Sequence, residues 1–248
     1  MTPLVRSESA PEIILASASP RRRELLTVLG VPFRVVVADI DEQPRPGEAP
    51  EALVERLARS KALTVDAREA AAPGGQGGQG AAERDRPERD RPERDRPERI
   101  VLAADTVVVL DGAILNKPAD AVEARTMLSA LRGRPHRVLT GLALARGGEV
   151  AWSSVAETVV TMRAYADDEV TAYIASGRPL DKAGAYGIQD ADFRPVERID
   201  GCYTNVVGLP LCEVRRALAG SQESRARSRE GCELCEAARA PQPTGGVE

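Results

Sequence analysis

The stretch EIILASASPRRRELLTVLGVPFRVVVA, residues 12–38, decides the architecture. Glu12 to Ala16 is a short apolar run of strand type. Pro20 to Leu29 follows as a helix with proline in its first turn, and Gly30 stops it. Phe33 to Ala38 is β-branched again and reads as a strand. The alternation continues outward. The spacing of Leu53, Val54, Leu57, Ala58 and Lys61 predicts a helix over residues 50–70. Strands are expected over 100–104 and 106–110, a helix over 119–131, long β-rich runs over 137–145 and 150–163, a helix from Asp167 to about Ser176, and a last helix over 209–218. These strands outnumber the needs of a simple doubly wound sheet, so the expected fold is an α/β body with a mixed sheet.

Two segments fall outside this pattern. Between Arg68 and Arg99 the composition turns to Ala, Gly and Gln and then to a tandem ERDRP repeat over residues 83–97. A segment without apolar residues cannot offset its ordering entropy, and prolines at 87, 92 and 97 break any helix. It is expected to be a solvated, disordered insertion. The tail after Ala219 has a similar composition, so one folded domain is expected over residues 12–219, with an extension over 1–11 and a disordered tail over 220–248. In that tail Cys232 and Cys235 form a lone CxxC. No second pair stands at zinc-finger spacing, so free thiols are the favoured reading.

The composition narrows the function. The chain has 248 residues, 42% hydrophobic and 29% charged, with a net charge of -4. That balance fits a globular protein and gives no global attraction to nucleic acid or to a membrane surface. No apolar stretch approaches the roughly 20 residues of a spanning helix. The N-terminal MTPLVRSESAPE lacks an apolar signal core, so a cytoplasmic location is expected.

Four groups of residues can carry chemistry. Ser17 to Arg23 places hydroxyls and three guanidiniums where a strand gives way to a helix. It reads equally as a phosphate site or as a capped helix start with solvent-facing arginines. Asp105 interrupts an apolar β-branched run, where a carboxylate is costly unless paired or bound to metal. It therefore reads as functional rather than as a strand end or bulge. Glu42, Lys61 and Lys117 offer oxygen ligands and point charges, and each taken singly is more often a surface charge. Residues 176–190, SGRPLDKAGAYGIQD, form a glycine-shaped loop in which Gln189 could read a base edge. His136, the lone histidine, has no nucleophile signature near it and reads as structural.

In this order, LASASPRRRELL, AADTVVVLDGAILNKP, RPHRVLTGLAL, SGRPLDKAGAYGIQD and GCYTNVVGLPL resemble the Maf family from about Ile13 to Leu218. Its members are nucleoside-triphosphate pyrophosphatases, often named septum formation proteins. The resemblance implies a Maf/inosine-triphosphatase-like fold, a mixed elongated central sheet with two lobes around a nucleotide cleft, often in a homodimer. It also implies cleavage between the α- and β-phosphates with a divalent metal, Mg²⁺ or Mn²⁺. Asp105 is then the proton acceptor or a metal ligand, Glu42 a metal ligand, and Ser19, Arg22, Lys61 and Lys117 phosphate-binding. Arg21, Thr106 and Gln189 match the specificity positions of the dTTP/UTP branch rather than the 7-methyl-GTP branch. Two other readings compete: a nucleotide-binding regulator of division without turnover, and a purine-selective inosine-triphosphate enzyme. The complete set of acid and cations argues against the first and the branch residues against the second.

Overall fold

The computed structural model describes residues 11–72, 99–220 and 232–239. Seven strands form one sheet: β1 (Glu12–Leu15), β2 (Phe33–Val35), β3 (Arg99–Leu110), β4 (Ala113–Leu115), β5 (Pro135–Arg146), β6 (Glu149–Met162) and β7 (Val196–Asp200). The order is β2-β1-β3-β5-β6-β7, with β4 paired to β3. The pairs of β1 with β2 and with β3 are parallel, and the remaining pairs are antiparallel, so the mixed sheet expected from the sequence is present. The helices are α1 (Pro20–Thr27), α2 (Pro50–Ala71), α3 (Ala121–Leu131), α4 (Asp167–Ala175), α5 (Tyr203–Val207), α6 (Leu211–Leu218) and α7 (Glu233–Arg239).

Side chains alternate across β3, and that alternation distributes the core. On one face Val101, Ala103, Val107 and Val109 pack beneath α2 with Ala58, Ala62, Leu53 and Leu57. On the other face Ile100, Leu102 and Ala104 join α1 and α6, while Val108 and Leu110 join α3 and α4. The two clusters on that second face part at Thr106. The cluster on the α2 face parts at Asp105.

Several boundaries differ from the sequence reading. The strands expected on either side of Asp105 are one continuous strand, with Asp105 paired opposite Gly141. A carboxylate is held mid-strand because a cation meets it there, as described below. The short strands β4 and β7 and the helix α5 have no counterpart in the sequence reading. β7, with the sequence VERID, is polar and mostly exposed, so periodicity gives it no signal. The last expected helix, residues 209–218, is α6 and begins two residues later, at Leu211, after Gly208 at φ 119° has ended α5. α2 continues to Ala71 and β3 begins at Arg99, which narrows the insertion from both ends. The ERDRP repeat lies outside the described residues. Part of the expected tail is folded: α7 packs on α5 and α6 with Cys235 and Ala238 buried, because its apolar residues meet the same core as α6. Among the described residues no helix is long and apolar enough to cross a membrane.

Candidate active site

β1 covers one edge of β3 only as far as Leu102, and β4 pairs from Val108. Between them the β3 edge opens onto a cleft of about 880 Å³. Asp105 and Thr106 stand at this opening, on opposite faces of the strand as alternation requires. Ser19, Arg21, Arg22, Glu42, Lys61, Asp105, Thr106, Lys117 and Gln189 all line the cleft. The nine residues singled out in the sequence thus line one cleft, although Ser19 and Gln189 stand 170 positions apart.

Asp105 and Lys61 form its buried centre. The Lys61 ammonium donates to Asp105 Oδ1 at 2.6 Å and meets Glu42 Oε1 at 2.8 Å, with Lys61 and Asp105 each 8% exposed. Such an arrangement needs α2 close to the sheet. Gly141 provides for it: a Cβ there would lie 2.1 Å from the Val54 carbonyl oxygen of α2. The missing side chain opposite Asp105 lets the helix settle and carry Lys61 to the carboxylate.

Arg22 fills the gap in the sheet edge from the other side. Its Nη1 donates to Ala104 O at 2.8 Å and to Ser17 Oγ at 3.3 Å, its Nη2 to Thr106 Oγ1 at 3.0 Å, and its Nε to Gly208 O at 2.8 Å. Burial lowers its pKa, while Asp105 and Glu42 act in the opposite direction. A guanidinium with four protein acceptors is a strut between the strand edge and the loop at Gly208. Thr106 Oγ1 also shares a hydrogen bond with Thr140 Oγ1 at 2.9 Å, so its side chain is fixed by the framework. Ser19 caps α1 by accepting from Arg22 N, and the helix N-terminus beside it faces the cleft. That combination joins the two readings left open for residues 17–23, a cap and an anion-favouring end.

Sequence reasoning gives Asp181 and Lys182 no role. Arg21 Nη1 donates to Asp181 Oδ2 at 2.8 Å, and Lys182 Nζ to Asp181 Oδ1 at 2.8 Å. Burial opposes ionisation of Asp181, but its bonds to Lys182 and Arg21 outweigh that and hold its pKa low. The available signal is the charge pair at the head of DKAGAYGIQ, whose partner only the fold reveals. Behind this loop Tyr173 hydrogen-bonds Asp190 and accepts from Gly187 N, and Tyr186 shares a 2.7 Å hydrogen bond with His136 Nε2. His136 is buried there, away from the cleft lining, in agreement with its structural reading. Gln189 and Lys117 are exposed on the rim.

Five basic and four acidic side chains line the cleft, a net of +1. A triphosphate brings about four negative charges, so this protein charge does not neutralise it alone.

A family profile described as Maf-like protein matches residues 12–221. A dTTP/UTP pyrophosphatase of Geobacter metallireducens is 46% identical over 205 residues, covering 82% of this chain and 92% of that protein. One of Thermomicrobium roseum is 50% identical over 200 residues, covering 80% and 79%. One of Yersinia pestis is 42% identical over 207 residues, covering 84% and 91%. The solved structure of a HAM1 protein from Coxiella burnetii overlaps 62% of this chain and 74% of its own at 15% identity, with a TM-score of 0.39, too low to carry an argument.

Proposed function

The chain belongs to the Maf-like protein family, and from that premise and the chemistry of the cleft we propose that it hydrolyses dTTP and UTP to the monophosphate and pyrophosphate. The observation that carries the reading is the Asp105–Lys61–Glu42 group at the opened edge of β3, in a cleft walled by an α-helix N-terminus. A pure binding site for an anion has no need of two carboxylates facing its phosphates.

The residues fit a divalent metal. Two carboxylate oxygens already converge on one cation, the Lys61 ammonium, and hard oxygen donors suit Mg²⁺ or Mn²⁺. Glu42 and Asp105 would hold the ion, and magnesium commonly takes one or two carboxylates with water and phosphate completing its shell. When bound, it would supply the positive charge that the cleft lacks and polarise a phosphoryl oxygen.

In the proposed reaction Asp105 accepts the proton of the attacking water, the water oxygen bonds to phosphorus, and the α–β anhydride bond breaks to release pyrophosphate. Lys61 fixes Asp105 and Glu42 in place. The α1 N-terminus with Ser19 and the Lys117 ammonium receive phosphate oxygens, and Arg22 adds positive potential from within the framework. Gln189 and Arg21, on the rim with the DKAGAYGIQ loop, are the candidate base readers, with Thr106 shaping the floor.

The test is pyrophosphate release with Mg²⁺ or Mn²⁺ from dTTP, UTP, CTP, 7-methyl-GTP and ITP. Turnover of dTTP and UTP is expected, with a loss of at least about 10²-fold in Asp105→Asn. Folded protein silent on every nucleotide would overturn the enzyme in favour of a nucleotide-binding regulator, and preference for ITP or 7-methyl-GTP would overturn the branch.

A further inference from the structure

All four cysteines of the chain meet at one place, far apart in sequence and outside the cleft lining. Cys202 stands at the N-cap of α5, Cys212 in the first turn of α6, and Cys232 and Cys235 at the start of α7. Cys202 Sγ lies 3.6 Å from Cys235 Sγ. Interaction with the Cys235 thiol, together with burial and the Cys232 thiol, holds the Cys212 thiol above the usual thiol range. Cys235 N and Glu236 N both donate to Cys232 O, and this tight turn directs the two sulfurs of the CxxC toward the same side.

We propose that Cys202, Cys212, Cys232 and Cys235 form a tetrathiolate site for one zinc-class ion that fastens α7 to the α5–α6 corner. The inference does not depend on the reaction proposed for the cleft.

The spacing carries the argument. A zinc–sulfur bond of about 2.3 Å places the sulfurs of a tetrahedral site about 3.8 Å apart, whereas a disulfide joins them at about 2.0 Å. The observed 3.6 Å is close to the first and far from the second. Burial as small apolar groups would account for Cys202, Cys212 and Cys235. It does not account for Cys232, which is only half-buried and yet turned toward the same group. The missing second pair that weakens the CxxC as a sequence signal is supplied by Cys202 and Cys212, with nine residues between them. Among the described residues no three such side chains already stand as a metal shell, so binding requires the Cys212 and Cys232 side chains to turn in toward the Cys202–Cys235 pair.

The anchorage on the body is firm. Cys202 N donates to Thr158 Oγ1 at 3.0 Å, and Asn205 Nδ2 ties α5 to Val138 O and to Thr158 Oγ1. Thr204 Oγ1, 3.1 Å from Cys202 Sγ, accepts from Leu211 N at the start of α6. Soft, tetrahedral sulfur donors select zinc over the hard cations suited to the cleft.

The test uses the full chain purified under reducing conditions without chelator, with elemental analysis for zinc and iron and cobalt(II) substitution followed by absorption. About one tightly held zinc per chain is expected, released when a mercurial titrates the thiols, with thiolate-to-cobalt charge-transfer bands in the substituted protein. Cys235→Ser and Cys232→Ser should lose the ion, and amide exchange in α7 should accelerate. Because Cys232 is half-buried, its variant is expected to keep the body folded, which circular dichroism and amide exchange in β3 and β5 report independently of any turnover. Asp105→Asn should retain zinc, which separates this ion from any in the cleft. Less than about a tenth of an equivalent of metal, even after incubation with Zn²⁺, would overturn the proposal. So would a Cys202–Cys235 disulfide in the protein as isolated.

Discussion

Lys61 sets the energetics of the cleft at the level of single residues. It sits between Asp105 and Glu42, and the side chains of Lys61 and Asp105 are only 10% and 11% exposed against 59% for Glu42. The Glu42 contact is therefore solvent-screened and weakly stabilising, whereas removing Lys61 strands a buried carboxylate. Lys61→Met should destabilise the fold by about 3 kcal/mol in urea unfolding, and Lys61→Met with Asp105→Leu should recover most of that loss while remaining inactive. No recovery in the double variant would mean that Lys61 acts through its packing between α2 and the sheet. His136 gives a pH signature. Burial lowers its pKa from 6.5 to about 4. Between these values the unfolded chain binds a proton that the folded protein refuses, so stability is full above pH 6.5 and falls as the pH drops toward 4. Of a full loss of about 3 kcal/mol below pH 4, about 2 kcal/mol should appear between pH 7 and pH 4.5 in unfolding measurements and be absent from His136→Gln.

Among the elements, α2 and β3 do most to build the site. α2 has the apolar stripe of Leu53, Val54 and Leu57, an amphipathic spacing legible in the sequence. Its seating on the sheet is not legible there, because it depends on one glycine of another strand. Gly141→Ala would drive a methyl group into the Val54 carbonyl. The helix must then shift, at a cost of about 1–3 kcal/mol in stability. A displaced α2 also moves Lys61 away from Asp105, so turnover should fall more than the stability loss explains, measurable as kcat in protein that remains folded. Unchanged kcat would show that Lys61 reaches Asp105 by side-chain flexibility. From sequence β3 reads as two strands, because a mid-strand carboxylate looks like a break. It is one strand because its partner β5 runs past Asp105 without interruption, and because Lys61 compensates the charge.

For the whole molecule, one sheet supports separate cores at its two ends, with α1 and α6 at one and α3 and α4 at the other, and the cleft lies between them. A ligand held by both the α1 end and the DKAGAYGIQ loop should stabilise the assembly. A non-hydrolysable dTTP analogue with Mg²⁺, at a hundredfold its Kd, should add about 2.7 kcal/mol and raise Tm by about 5–10 °C. The same analogue concentration without Mg²⁺ should give a smaller shift because binding is weaker, and equal shifts would argue against a metal in the site. The sequence by itself determined the alternation of strands and helices and the mixed sheet, since periodicity and caps are local properties of the chain, while its ordered motifs singled out the nine cleft residues through their resemblance to one family. Only the tertiary structure decided that Lys61 serves two carboxylates, that Arg22 is committed to carbonyls at an open sheet edge, that Arg21 answers to Asp181, and that four scattered cysteines meet. These are contacts between distant segments, fixed by strand register and by how closely a helix can approach a glycine, and no local pattern encodes them.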